Sequence, residues 1–551
     1  MTVLANSDYR DYRAPAGDNS ALIEPDLDQL VSHVSEANAT SSGSGLEFCG
    51  NALDQVQAEA RREVVELAVR YTSAYQSIDP VEFVQQPIIL SGHQPELFHP
   101  GVWFKNFLLS AIASRVNGIG VNFLVDNDLC RSTNISVPSF PANESSSVLV
   151  RDIPFDESRT PVPWELRSLQ SRATWDAFSE RVVAALPSGM RQPLLTELWP
   201  DASVALDETG RPGLAIARAR HQLEQRIGLQ TLEVPLSHLV STRAFARFSI
   251  QLLSELPRFQ DSYNRQLKRY REAHRIRNHA HPVPALEQQD GWLEAPWWVY
   301  RKQAPQRQRL WVRVRDDQLI LCDRAGWQTI IEGRLDCDNA SSQWLDLQVD
   351  GVCLRPRALL TTMYLRMIVG NVFIHGIGGA KYDQLTDTII RDFFGVESPL
   401  MGVASATLRL PWPEPKRREQ GRAEQVGEAY TDNTNSIRAQ IRALKRELWD
   451  LRFHADQTVG MDSVEAKSLV ERKRELLANI PDKGDKWQWH REMTNLNRRL
   501  AELASGTIAQ TRQRMNELAK QEKALRIAQS REYSFCLYPL DFVAGHLQRM
   551  L

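Results

Sequence analysis

Short apolar runs that stop at glycine, histidine or aspartate, each followed by a longer amphipathic stretch, set the rhythm of most of this chain. Ile88-Ile89-Leu90 stops at Ser91-Gly92 and passes through His93-Gln94-Pro95 into an amphipathic segment, Val102 to Val116. That pattern predicts a buried strand, a tight turn and a helix, the opening unit of a doubly wound α/β domain. Gly120 to Val125 predicts a second buried strand, ending in Asp126-Asn127-Asp128. A third unit begins at Asn371-Val372-Phe373-Ile374, stops at His375-Gly376, and runs through Ile377-Gly378-Gly379-Ala380-Lys381 into a predicted helix, Tyr382 to Phe394.

Between and around these units the pattern changes. Leu27 to Val34 and Asp54 to Tyr75 have helical spacing, and the second reads as a covering helix; Ser41 to Gly45 reads as a flexible joint. Asn134 to Ile153 predicts a β-hairpin, Trp164 to Leu186 and Leu214 to Ile227 predict helices, and Thr231 to Pro235 a further strand. A long helical pattern, Ala244 to Arg277, ends in the basic run His274 to Pro282. From Gly291 to Asp350, runs such as Trp297-Trp298-Val299-Tyr300 and Leu310-Trp311-Val312-Arg313-Val314 alternate with turn residues, which predicts a small antiparallel sheet inserted in the core. Its aromatics either fill a small core or stack on a base or sugar, and core filling is the commoner use.

Beyond Pro411-Trp412-Pro413 a charged linker leads to heptad spacing: Ile437, Ile441, Leu444, Leu448 and Leu451, then Met493, Leu496, Leu500 and Leu503. Gly460 and the turn at Pro481 to Gly484 divide this region into antiparallel hairpins. The last segment, Tyr533 to Leu551, is too apolar for a free tail. The predicted organisation is therefore a core over 1–411 with a β-rich insert near 291–350, a linker over 412–433, helices over 434–531, and a closing segment that packs back on the core.

Composition narrows the function. A formal charge of −2 over 551 residues gives no electrostatic case for nucleic acid or an anionic membrane, and no apolar run is long enough to span one. The six cysteines lack any C-x-x-C pair, which argues against a zinc site or a disulfide framework and fits reduced thiols in a cytoplasm.

Candidate chemistry lies where the strands end, since ligands of doubly wound sheets collect at carboxyl ends, beside helix N-termini that offer free N–H groups. Gly92, His93, Gln94 and His99 form one such loop, and Asp126, Asn127 and Asp128 the next. Aspartates there bind a metal, orient an ammonium group or act as a base; the plain alternative is an aspartate-rich turn. In the third loop Gly376, Gly378 and Gly379 admit an anion to the backbone and Lys381 neutralises it, although the spacing is neither a Walker A nor a dinucleotide motif. Its plain reading is a glycine-bearing turn.

The order of these parts resembles the bacillithiol biosynthesis cysteine-adding enzymes, a family with a Rossmann-like core, connecting inserts and a C-terminal coiled coil. The resemblance rests on Ser91-Gly92-His93-Gln94, Asp126-Asn127-Asp128, Leu354-Arg355-Pro356, the loop Gly376 to Gly378 with Tyr382, and Tyr538-Pro539 with Leu547-Gln548-Arg549. His93 replaces a family glutamine, Gly379 stands where the family has an acidic residue, and Lys105 is displaced from the family lysine. Over His93-Gln94-Pro95, Gly101 and Lys105 the chain is also similar to the WbqC-like putative amino-acid transferases.

The resemblance implies a Rossmann-like α/β core with a β-rich insert and an antiparallel helical coiled coil. It also implies an enzyme joining an amino acid, cysteine among the candidates, to an amine-bearing small molecule. Amide formation from a carboxylate needs activation, so a nucleotide, ATP or ADP, is the expected cofactor, with no metal assigned. In this reading His93, Asp126 and Asp128 are catalytic. Gly92, Gln94, His99, Asn127, Arg355, His375, Gly376, Gly378, Gly379, Lys381 and Tyr382 bind substrate or nucleotide. A homodimer through the coiled coil is expected. The competing reading is a non-catalytic nucleotide-binding assembly protein.

Overall fold

The computed structural model describes residues 9–39, 45–78, 86–139, 148–157, 160–412, 434–457, 463–481, 484 and 486–551. The joint at Ser41 to Ser44, nearly all of the charged linker, Gly460 and the centre of the Pro481 to Gly484 turn lie outside them.

At the centre is a six-stranded sheet in the spatial order Ser20–Glu24, Met401–Thr407, Val372–His375, Ile88–His93, Ile119–Leu124, Leu232–Pro235. Five strands are parallel, and Ser20–Glu24 closes one edge antiparallel to Met401–Thr407. Going outward from Ile88–His93, chain order runs one way through Ile119–Leu124 and Leu232–Pro235, and the other way through Val372–His375 and Met401–Thr407. The direction of winding thus reverses between Ile88–His93 and Val372–His375, which sends their following loops to opposite faces and opens a crevice between them.

Side chains alternate along these strands, so both faces need cover. Ile88 and Leu90 join one core with Val64, Ala68 and Phe245, whereas Ile89 joins another with Trp103, Phe107 and Leu108. Helix Leu53–Ser73 thus covers one face and helix Pro100–Arg115 the other. The latter is buried over most of its surface because it also packs under the closing segment, where Trp103 meets Phe535 with ring centroids 4.7 Å apart.

The insert is a second sheet, in the order Gln328–Glu332, Gln318–Cys322, Ala304–Arg315, Trp292–Arg301, Val352–Pro356. Its last strand carries Leu354-Arg355-Pro356, and helix Cys337–Val349 precedes that strand. Trp297 is fully buried against Trp344, and the insert shares the core of the first face.

Helices Thr434–Phe453, Val464–Ala478, Lys486–Leu503 and Ser505–Ala528 follow. Ile437 and Ile441 pack with Leu518 and Leu525, and Leu469 and Val470 with Leu496 and Leu500. The closing segment returns to the core: Phe535 N donates to Phe98 O at 2.8 Å, and the Tyr538 hydroxyl to Leu408 O at 2.9 Å.

Several sequence expectations need correction. The pattern from Ala244 to Arg277 is two helices, Arg243–Ser254 and Leu256–Ala273, divided at Glu255 ahead of Pro257. Helix Leu195–Thr209 and the strands Ser20–Glu24 and Met401–Thr407 were not anticipated. Cys49 and Cys337 form a disulfide with Cα atoms 5.6 Å apart, although 288 positions separate them in sequence. Sequence spacing cannot show a pairing that only the docking of the insert against the Leu53–Ser73 end of the core creates. No described helix is long and apolar enough to cross a membrane.

Candidate functional site

A cavity of about 1120 Å³ opens at the carboxyl ends of Ile88–His93 and Val372–His375, where the winding reverses. Three parts of the molecule build it. The core contributes Gly92, His93, Gln94, Lys105, Asn127, Asp128 and the turn His375 to Gly379; the insert contributes Trp298, Arg307 and Arg357; the chain ends contribute Tyr12, Arg13, Arg531 and Glu532. Among the charged lining residues basic ones prevail, with Arg13, Lys105, Arg131, Arg307, Arg357, Lys381 and Arg531 against Asp128 and Glu532.

Lys105 is the most distinctive of these. It sits on the first helix after the central strand, is 3% exposed, and donates from Nζ to Gly92 O at 2.7 Å. No carboxylate of the described residues pairs with it, and burial, followed by the nearby Arg220 guanidinium, pushes its pKa down to about 7. An ammonium held this way lacks the counter-charge that normally accompanies burial.

Beside it, helix Ile377–Phe394 begins at Gly376 without any side-chain cap, and its first-turn residues Ile377, Gly378 and Gly379 line the cavity. The free N–H groups and positive end of an 18-residue helix are a ready anion site. Helix Pro100–Arg115 offers no such end, because His99 Nδ1 accepts from Gly101 N at 3.1 Å. His99 lines the cavity as that cap.

His375 ends its strand with Nε2 2.9 Å from Asp383 Oδ2. Asp383 also takes Arg366 Nη1 at 2.7 Å and the hydroxyls of Thr362 and Thr386. Burial alone would raise the Asp383 pKa, but Arg366 and then His375 outweigh it and hold it well below the usual carboxylate range. A fixed carboxylate behind an imidazole restricts the ring's orientation. Gly379 is a glycine for a local reason: a Cβ there would stand 2.8 Å from His375 Nδ1.

His93 lines the cavity too, with Nδ1 3.1 Å from Gln94 O. Burial, then Lys105, push its pKa down to about 3, so it stays neutral and is a poor proton acceptor. Gln94 Nε2 donates to Asp128 Oδ2 at 3.0 Å, and Arg307 Nη1 reaches Asp128 Oδ1 at 3.1 Å. Asn127 Nδ2 donates to Pro356 O at 3.1 Å, tying the core loop to the insert.

Most sequence-predicted residues are therefore brought to one cavity: Gly92, His93, Gln94, His99, Asn127, Asp128, His375, Gly376, Gly378, Gly379, Lys381 and Tyr382. Lys381 lies at its rim, half-exposed and 3.4 Å from Asp11, and burial pushes Tyr382 up to about 12. Two residues are not brought there. Asp126 turns away from the cavity and accepts from Ser237 N at 2.9 Å and from the Ser237 hydroxyl. Burial, then Glu165, push its pKa up to about 7. Arg355 is buried in a bidentate pair with Glu165, both contacts at 2.8 Å, with Nη1 on Gln348 at 2.7 Å. Asp126 ties the core loop to Ser237 and Arg355 ties the insert to Glu165, so their side chains are engaged within the protein.

Sequence reasoning missed Arg131, Arg307, Arg357 and Arg531 as lining residues, and left Lys105 aside as displaced. One signal was available for the insert: in a strand, neighbours point to opposite faces, so Trp297 and Trp298 cannot both fill the core. No protein-family model and no curated protein matches this chain. Among the described residues there is no cluster of three or more His, Cys, Asp or Glu able to hold a metal ion.

Proposed function

We propose that the chain is a ligase or transferase that joins an amino acid to an amine-bearing small molecule, using a phosphate-bearing donor held in this crevice. The observation that carries the phosphate part is Lys105, a buried ammonium with no carboxylate partner, opening beside an uncapped helix N-terminus. A phosphate or nucleotide supplies the missing negative charge and accepts from the free N–H groups of the first helical turn. In this reading His375, held 2.9 Å from Asp383, takes the proton of an attacking amine, since burial leaves His93 a poor acceptor. The amino-acid part comes from the resemblance to the cysteine-adding enzymes, as do the Rossmann-like description of the core, in keeping with its strand order, and the coiled-coil description of the C-terminal helices.

The test is turnover. The purified chain is incubated with ATP, each amino acid and a panel of primary amines, following phosphate or pyrophosphate release and product mass. Amine-dependent release that Lys105→Met abolishes is the expected result. Nucleotide binding without turnover across the panel contradicts the enzyme and supports a non-catalytic nucleotide-binding assembly protein. That second reading is favoured by Trp449 and Trp487, which stand exposed on the C-terminal helices, and by Ile480, exposed just after helix Val464–Ala478. We further propose that these helices pair two subunits; light scattering that finds a monomer at micromolar concentration would rule this out.

A further inference from the structure

The insert's side of the crevice carries charge that the donor-binding reading does not use. In strand Trp292–Arg301 the pairing with Ala304–Arg315 shifts between Ala295 and Trp298, a β-bulge that re-aims the side chains beyond it. Trp297 turns into the core, while Trp298 turns to the cavity with a guanidinium stacked against it from each of two elements: Arg357 with its centre 4.2 Å from the ring and Arg307 at 4.8 Å. Arg357 is fixed by Nη2 donating to Glu294 Oε1 at 2.7 Å.

Arg307 is only 12% exposed, yet it spends a single nitrogen, Nη1, on Asn127 O at 3.2 Å and Asp128 Oδ1 at 3.1 Å, leaving Nε and Nη2 without an acceptor among the described residues. Asp128 is shared, since it also accepts from Gln94 and from Leu129 N at 2.8 Å. Arg131 stands exposed on the same rim, paired with nothing among the described residues, and its charge adds to burial in lowering the Arg307 pKa. Arg307 thus shares a carboxylate that is already in use, and Arg131 on the same rim has no acid of its own among the described residues.

We infer that Arg307, stacked on the Trp298 ring, and Arg131 on the same rim form a second anion subsite, so that the ligand of this crevice is negatively charged at both ends. One end is the phosphate at Lys105 and the other a carboxylate or phosphate at Arg307. The inference rests on the proposed donor site only for the identity of the first end. A cavity of about 1120 Å³ accommodates such a two-ended ligand in one piece or as donor and second substrate together.

The experiment is calorimetric titration of the full chain with inorganic phosphate, 3-phosphoglycerate and 1,3-propanediol bisphosphate. The two-ended compounds are expected to bind at least about tenfold more tightly than phosphate. Arg307→Met should bring them down to the phosphate level while leaving phosphate itself within about twofold, and Arg307→Lys should keep part of the gain. The relative affinity of the two compounds then tells carboxylate from phosphate at the second end. A separate readout needs no arginine variant: 3-phosphoglycerate should change the emission difference between the wild-type chain and Trp298→Phe, and inorganic phosphate should not. Equal loss for all three ligands on Arg307→Met, or no advantage of two ends over one, overturns the inference. Lys105→Met separates the two ideas, because an unchanged phosphate affinity there removes the donor site while the Arg307-dependent gain is still read.

Discussion

Arg355 and Lys105 are both buried cations close to the carboxyl edge of the sheet, 6% and 3% exposed, and their surroundings differ completely. Every nitrogen of Arg355 has a protein acceptor: Glu165 takes Nε and Nη2, and Gln348 and Leu354 O take Nη1. Lys105 has one carbonyl and, among the described residues, no carboxylate. Burial of a charge therefore marks no site by itself. What separates a structural ion pair from a binding group is whether the protein has already supplied the partner.

The largest effect is expected on the closed side. Glu165→Gln or Arg355→Met leaves an uncompensated charge in the interior and should cost about 3–5 kcal/mol of stability, read by chemical denaturation. On the open side, Lys105→Met should not destabilise the fold, and should weaken anion binding by about 1–3 kcal/mol or more, read by calorimetry. A Lys105 variant that is as damaged as the Glu165 variant would erase the distinction.

The pH dependence sharpens it. The Lys105 pKa of about 7 in the folded chain lies below its ordinary value of about 10.4, so the unfolded chain holds more protons between those limits. Stability should rise with pH across that window, and Lys105→Met should flatten the rise. Asp126 has the opposite sign: raised to about 7 from about 3.9, it contributes stability below pH about 4 that is lost as pH rises through about 7. Asp126→Asn should flatten that fall. Denaturant midpoints measured from about pH 4 to about pH 10 read both. The smallest effect is at His99, whose replacement by Ala removes a helix cap and should cost about 1 kcal/mol.

The central strand units were legible in the sequence because a strand covered on both faces must be a short apolar run, and because His93, Asp128 and His375 each stand just past one. The strands Ser20–Glu24 and Met401–Thr407 were not. The first is half-buried throughout, and the second, Met-Gly-Val-Ala-Ser-Ala-Thr, is built of small residues without an apolar run. At the site, position after a strand predicted the edge but not the facing: Asp126 and Asp128 are two residues apart, yet one caps onto Ser237 and the other lines the cavity. The arginines of the insert and Arg531 arrive from distant sequence, and only packing brings them in.

The role of the crevice turns on Lys105 being held open for an anion. Its most direct test is calorimetric titration with sulfate at about pH 8, above the Lys105 value, in two buffers of different ionisation enthalpy. Bound sulfate should draw a proton onto Lys105, giving a heat that depends on the buffer, and Lys105→Met should lose both the binding and that dependence. Sulfate bound with the same affinity by both proteins, or with a heat independent of buffer, would contradict it.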